Sequence, residues 1–474
     1  MKRMHILIGL VRHEVAGCGG TAFGHQFIRA LRQKVDVSVI TITQWLSGEI
    51  ANLENEGPSV EETTWEGLSS LIIRPRTSLA YNLTGTTTSA EVAESCLISE
   101  QIADFARRQK IDLFHILHWE YLKSCLFEAA LQAKKPFVFT PYDYLTFCPR
   151  VFMRQRNKIF CSGPDKYARK CLLCLESIDG FWGVISRFMK RYNRRMSFMA
   201  FSGLGSLLGP GYEPQWSIVV RHRAIRKYLL SCARILPFST LMAKEMQRHL
   251  KLPSTQFTVC KYGLLTDPHK LPKGKRFRAP LHIGYIQRIS YESGAFFILE
   301  AWRRANIRPD QAILHMFAQP GGKKYVEDSV YKKLVDKGYV QIKEGIIAEK
   351  MDEILIDISA VVVGYQMKYI GSSAAAYEAV ARGIPAIAPE WKSNANDSED
   401  GLIEGINAIK YCNFDVNSLS KTLKKCCRNP NLLERLYETC DLPAEFRKDA
   451  YIQKILKVCE DIINKVDRKQ DAQG

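Results

Sequence analysis

The chain has 474 residues, 46% hydrophobic and 24% charged, the balance of a globular protein longer than one hydrophobic core usually supports, so two domains are expected. Its formal net charge of +18 gives a broad positive field that draws phosphates, anionic lipids or nucleic acid without choosing among them. No window offers about eighteen uncharged apolar residues, which excludes a bilayer-spanning helix.

The apolar run Ile6 to Val11 is too short for a secretory signal core and no small-residue cleavage site follows it, so it reads as a buried first strand. Apolar runs then alternate with helical periodicity: helix Thr21 to Gln33, strand Val37 to Thr43, helix Ala90 to Arg108, strand Leu113 to Leu117, helix Leu122 to Gln132 and strand Phe137 to Thr140. The alternation stops between Pro141 and Tyr228, in a cysteine-rich loop followed by a basic, aromatic segment. It resumes with strand Ile235 to Phe238, helix Leu241 to Leu250 and strand Phe257 to Lys261. The stretch Asp267 to Pro280, rich in proline, lysine and arginine, reads as an exposed hinge.

A second unit of the same kind runs through strand Leu281 to Tyr285, helix Gly294 to Ala305, strand Ala312 to Ala318, strand Ser359 to Gly364, helix Ala374 to Arg382 and strand Pro385 to Ala388. The expected architecture is α/β: two Rossmann-like, doubly wound domains facing across a cleft, with ligands at the carboxyl ends of the strands.

Ser372, Ser373 and Ala374 precede Tyr377-Glu378-Ala379, and Gly383-Ile384-Pro385 ends that helix. A helix start with small residues offers backbone N–H groups and a positive dipole end to a diphosphate. One turn on, the Glu378 carboxylate can accept two ribose hydroxyls at once. The plainer reading is an N-cap followed by a surface glutamate.

The stretch from Val361 to Tyr411, with Glu378-Ala379-Val380-Ala381-Arg382-Gly383-Ile384-Pro385 and then Asp400-Gly401 and Ile403 to Ala408, resembles the donor-binding half of glycosyltransferase family 4. Ile283 to Arg288, Ser293-Gly294 and Leu299-Glu300-Ala301-Trp302 are similar to the Gly-Arg, Lys-Gly and Glu-Ala-Trp motif of that family. The resemblance implies that Glu378 holds the nucleotide ribose and that Arg288 neutralises the leaving diphosphate. Two positions depart from the pattern: Ile370 stands where the first glutamate is expected, and Ser293 where the lysine is expected.

Gly19-Gly20-Thr21, between the first strand and first helix, is similar to the family's glycine loop, where backbone approaches phosphate or acceptor. Asp112 to Trp119, Lys135 to Tyr144 and Cys148-Pro149-Arg150 resemble one branch of the family, with Tyr142 in place of a histidine before Asp143. By that resemblance His118 and Asp143 join Arg288 as expected catalytic residues, whereas His115 reads as a buried histidine bonded within the fold. The expected division is then an acceptor-side domain over 1–265, a hinge over 266–280, a nucleotide-sugar domain over 281–440, and a terminal helix and tail over 441–474 that returns to the first domain.

Cys148, Cys161, Cys171 and Cys174 lie within one loop, 148–174, among 14 cysteines in all. Four thiolates so spaced can close a structural zinc shell, the branch with Cys-Pro-Arg usually shows the same four, and separate thiols or disulfides are the alternatives. Phe181 to Lys227 concentrates arginine and lysine among Phe188, Met189, Tyr192, Met196, Phe198, Met199 and Phe201. Such a segment suits the interface of an anionic membrane, or packs on the domain with its arginines solvated.

The resemblance implies a GT-B glycosyltransferase using a nucleoside diphosphate sugar, with retention and no catalytic metal, and the basic segment and positive charge add the expectation of a glycan or lipid-linked acceptor at a cytoplasmic membrane face. The rivals are a degenerate nucleotide-sugar-binding subunit and, with no RNA-binding motif visible, an RNA-associated protein.

Overall fold

The computed structural model describes residues 3–9, 19–42, 59–74, 89–117, 125–148, 153, 161–164, 171, 214–274, 276–345, 350–365, 373–390 and 400–471. The statements below concern these. His118, Ser372, Cys174, Ile370 and the basic stretch 181–213 lie outside them.

The first sheet has the order β3-β4-β2-β1-β5-β6-β7. Its centre is parallel: β1 (His5–Gly9) lies between β2 (Asp36–Ile42) and β5 (Leu113–Ile116), with Ile6 opposite Val37 and Leu113. Strands covered on both faces need apolar residues at every position, so these read as continuous hydrophobic runs. β6 (Phe137–Phe139) and β7 (Arg234–Ile235) continue it on one side. On the other, β4 (Leu68–Arg74) pairs with β2, and β3 (Ser59–Trp65) folds back antiparallel on β4. Their turn, Glu66-Gly67, has φ of 48° and 80°, the double positive φ of a two-residue hairpin turn.

Helix α1 (Gly19–Leu31) buries Phe23, Phe27, Ile28 and Leu31 on one face of this sheet. Helices α2 (Ser89–Arg108) and α3 (Cys125–Gln132) build the core on the other. α4 (Pro214–Ser231) sets Ile225 and Leu229 into that second core, stacks Tyr228 on Phe127, and donates from Arg226 Nε to the Leu250 carbonyl at 3.0 Å. The described end of the basic segment therefore packs on the domain. α5 (Thr240–Leu250) starts on Ser239, whose hydroxyl accepts from Met242 N–H.

The second sheet has the order β10-β9-β8-β11-β12-β13, parallel throughout. Its strands are β8 (Leu281–Ile286), β9 (Ala312–Ala318), β10 (Val340–Glu344), β11 (Ala360–Val362), β12 (Ala386–Glu390) and β13 (Ala408–Cys412). This is the dinucleotide-fold order 3-2-1-4-5-6, in which chain direction across the sheet reverses between β8 and β11. α6 (Ala295–Ala305) follows β8, α7 (Gly322–Glu327) and α8 (Lys332–Asp336) follow β9, and α9 (Met351–Leu355) precedes β11. α10 (Ala374–Ala381) links β11 to β12, and α11 (Val416–Arg428) and α12 (Pro430–Thr439) follow β13. The terminal α13 (Lys448–Asp471) places Tyr451, Ile452, Ile455 and Cys459 beside Phe23 and Phe27 on the first sheet.

Three expectations change. The stretch 267–280 keeps most of its described residues exposed, yet it is anchored: Leu271, Arg276 and Phe277 are buried, Arg276 donates to the carbonyls of Pro272 and Ile356, and Leu271 N–H bonds the Arg382 carbonyl. Leu271 and Phe277, set among its cations, pack into the cores of the second sheet. Residues 257–261 form one bridge, Ile235 to Phe257, rather than a strand, because β7 beside them is only two residues long. Gly19 and Gly20 stand in the first turn of α1 rather than before it.

Candidate functional site

Both sheets reverse order at a pair of adjacent strands, β1/β5 and β8/β11, and ligands of such sheets bind beyond the carboxyl ends of those strands. Gly19 and Gly20 follow β1, Arg288 follows β8, and Ser373 follows β11.

At the second sheet, β8 runs into the loop 287–294, which is knotted by hydroxyls. The Tyr285 hydroxyl lies 2.8 Å from the Arg288 carbonyl and 2.8 Å from Ser293 Oγ. Ser290 N–H donates to Ser293 Oγ, and Ser293 N–H to Ser290 Oγ, each at 3.2 Å. Ile289 N–H donates to Gln319 Oε1 at 2.8 Å. Ser293, at the position of the expected lysine, thus turns its hydroxyl into the loop and braces it. The Arg288 side chain stands exposed on that brace. Gly294 closes the loop at φ 85° as the N-cap of α6.

Across from this loop Ser373 caps α10. Its hydroxyl accepts from Ala376 N–H at 3.4 Å and from Gln287 Nε2 at 2.8 Å. The Gln287 side chain therefore ties the end of β8 to the start of α10, so the loop and the helix N-terminus form one surface. That surface pairs an exposed guanidinium with a positive helix end.

Glu378, on the second turn of α10, is 8% exposed. Its Oε2 pairs with Arg382 Nη1, one helical turn on, and its Oε1 accepts from Thr266 Oγ1 at 3.0 Å. Arg382 Nε is held in turn by Asp352 Oδ1 at 2.5 Å. Burial pushes the Glu378 pKa up, and Arg382 and Thr266 pull it down. The plainer reading, a surface glutamate, does not hold for it. The downstream turn is structural: Asn407 is buried, with Nδ2 donating to the Gly401 and Asp441 carbonyls and Oδ1 accepting from Ile403 N–H. Asp400 pairs with Lys410 at 2.7 Å.

At the first sheet, Gly19 and Gly20 open α1 beyond β1. Asp143 Oδ1 accepts from Leu145 N–H at 2.8 Å, an Asx turn just past β6. His115 is fully buried with Nε2 2.8 Å from Thr140 Oγ1, and burial lowers its pKa to about 3, so it is a neutral core residue. Tyr142 packs on Phe23 and Phe238.

Cys148 and Cys161 are half-buried against the first core, and Cys171 is buried. Cys161 N–H donates to the Met153 carbonyl at 2.7 Å, and Gly163, at φ 99°, sits where a Cβ would fall 1.8 Å from the His249 ring. No group of three or more metal-ligating side chains gathers among the described residues. Of the expected zinc shell, Cys148 and Cys161 lie against the first core, and Cys174 lies outside the described residues. No described helix is long and apolar enough to cross a membrane.

Thr266, Gln287, Asp352 and Arg382 were not picked out as site residues from the sequence. Arg382 carries the one usable signal, its i+4 spacing from Glu378.

No protein-family model matches the chain, and no curated protein matches it. Solved structures do. The chain is similar to Anabaena Alr3699/HepE in complex with UDP and glucose, with a TM-score of 0.60 at 11% identity over 97% of this chain and 100% of that one. It is similar to a glycosyltransferase from Rickettsia africae ESF-5, with a TM-score of 0.58 at 11% identity over 98% and 99% of the two chains. It is also similar to the sucrose-phosphate synthase of Thermosynechococcus elongatus, with a TM-score of 0.57 at 14% identity over the whole of both. With two largely parallel sheets and likeness along the full length of these proteins, the chain has the GT-B fold.

Proposed function

We propose that this protein is a glycosyltransferase that holds a nucleoside diphosphate sugar on its second sheet and delivers the sugar to a glycan or lipid-linked acceptor at its first. The observation that carries this reading is the joined surface at the β8/β11 reversal, where exposed Arg288 stands beside the Ser373-capped start of α10. The HepE relative, bound to UDP and glucose, supports it by likeness of fold.

In this reading Glu378 accepts the two ribose hydroxyls while Arg288, Ser372, Ser373 and the α10 amides that follow take up diphosphate charge as the glycosidic bond breaks. His118 and Asp143, with the backbone of Gly19 and Gly20, serve the acceptor side, and transfer proceeds with retention. The arginine-rich segment before α4 holds the enzyme against an anionic membrane surface.

One observation favours a second reading. The Ser293 hydroxyl is consumed within its own loop, so the loop offers one cation where the resemblance implies two, as a binding subunit without turnover would. Calorimetry with nucleoside diphosphates and the matching nucleosides tests the donor site common to both readings: diphosphates should bind at least about 10-fold more tightly.

A further inference from the structure

Resting on the reading of Glu378 as the ribose holder, we infer that Thr266, from the segment joining the two sheets, is the positioning residue that fixes this carboxylate for a vicinal diol. A carboxylate has about four acceptor positions, two on each oxygen. In this structure Thr266 Oγ1 takes one on Oε1, and Arg382 Nη1 takes one on Oε2. One remains on each oxygen, which is what two neighbouring hydroxyls require.

The two clamps differ in origin. Arg382 is the C-cap residue of the helix that carries Glu378, four residues on. Thr266 comes from 112 residues earlier and is anchored independently. Just before it, Leu264 is buried and bonds the Phe446 carbonyl through its N–H at 2.8 Å, and just after it Asp267 pairs with Lys448. Tyr262, four residues back, packs against Phe23 of the first domain and Tyr377 of α10. The Thr266 hydroxyl therefore stops the Glu378 carboxylate from rotating about its terminal bond onto Arg382 alone, and makes the grip on ribose depend on the joining segment being seated.

The test reads ribose recognition separately from overall affinity. UDP, GDP and ADP are titrated by calorimetry, and the one bound most tightly is compared with its 2′,3′-dideoxy counterpart in wild type, Thr266→Val and Thr266→Ser. Wild type should prefer the ribose form by about 30-fold or more, Thr266→Val should cut that preference by about five-fold, and Thr266→Ser should keep it. The dideoxy affinity should be the same in all three, which a loss of fold would not allow. If wild type prefers the ribose form and Thr266→Val prefers it equally, the inference is overturned while the ribose assignment of Glu378 stands. If wild type binds no diphosphate, or does not distinguish the two forms, the assignment of Glu378 fails and the inference with it.

Discussion

A Cβ on Gly294 would lie 1.5 Å from the carbonyl oxygen of Gly364, so the loop after β8 is seated directly on the backbone beyond β11. Two constraints meet here, a φ of 85° that L side chains rarely adopt and a contact that leaves no room for one. Gly294→Ala should therefore lift the loop that carries Arg288. The expected cost is about 2 kcal/mol or more, read as a fall of several degrees in thermal midpoint, together with weakened diphosphate binding. An unchanged midpoint and affinity would show that the loop is not held by this contact.

The Glu378–Arg382 pair predicts that affinity and stability respond differently to substitution. Both side chains are about nine-tenths buried, so Glu378→Gln alone should destabilise the protein by up to about 3 kcal/mol, because Arg382 then keeps Asp352 but loses its buried carboxylate partner. Adding Arg382→Met should restore most of the stability in chemical denaturation. Nucleotide affinity should stay reduced in both variants, by about 1.5 to 3 kcal/mol for the lost charge-assisted bond. Recovery of affinity along with stability would assign Glu378 a structural role only.

On the neighbouring strands β8 and β9, His282 Nδ1 and His315 Nε2 lie 2.6 Å apart, a separation that requires at least one of the two nitrogens to be unprotonated. Burial lowers both pKa values, His315 to about 4 with His282 and Lys343 adding to the effect and Asp357 opposing it. Because the folded values lie below the ordinary histidine value of about 6.5, the fold favours the neutral rings. Their contribution is complete above about pH 6.5 and is lost as the pH falls toward 4. Thermal midpoints measured across that window should fall more steeply for wild type than for His282→Asn combined with His315→Leu. Parallel curves would rule the pair out as the source of acid sensitivity.

The central strands were legible in the sequence because a strand buried on both faces is one apolar run, as in Ile6 to Gly9 and Leu281 to Ile286. The β3–β4 hairpin was missed because its edge strand, Ser-Val-Glu-Glu-Thr-Thr-Trp, carries polar residues in succession and its pairing depends on the Glu66-Gly67 turn. β10 was missed for a similar reason, with Gln341, Lys343 and Glu344 on a strand at the sheet edge. At the site, the Ser373 cap and Glu378 followed from local spacing. Thr266 had no such signal, since its bond to Glu378 exists only once the joining segment is folded against α10.

The arginine-rich segment before α4 predicts binding to anionic vesicles, with each cation near the membrane surface adding about 1 kcal/mol. In sedimentation with phosphatidylserine-containing liposomes at low salt, wild type should pellet, and a variant with Arg191, Arg194 and Arg195 changed to Glu should remain in solution. Wild type remaining in solution would favour a water-soluble acceptor.

The most direct test of the account is turnover of purified protein against a panel of UDP-, GDP- and ADP-sugars, following release of the nucleoside diphosphate with and without membrane glycolipid extract. The account predicts release from one donor class, stimulated by the extract and lowered about 100-fold by Arg288→Gln, an exposed substitution that should leave the thermal midpoint unchanged. Tight binding of a nucleotide sugar with no release under any condition would contradict the enzymatic reading and leave a donor-binding subunit in its place.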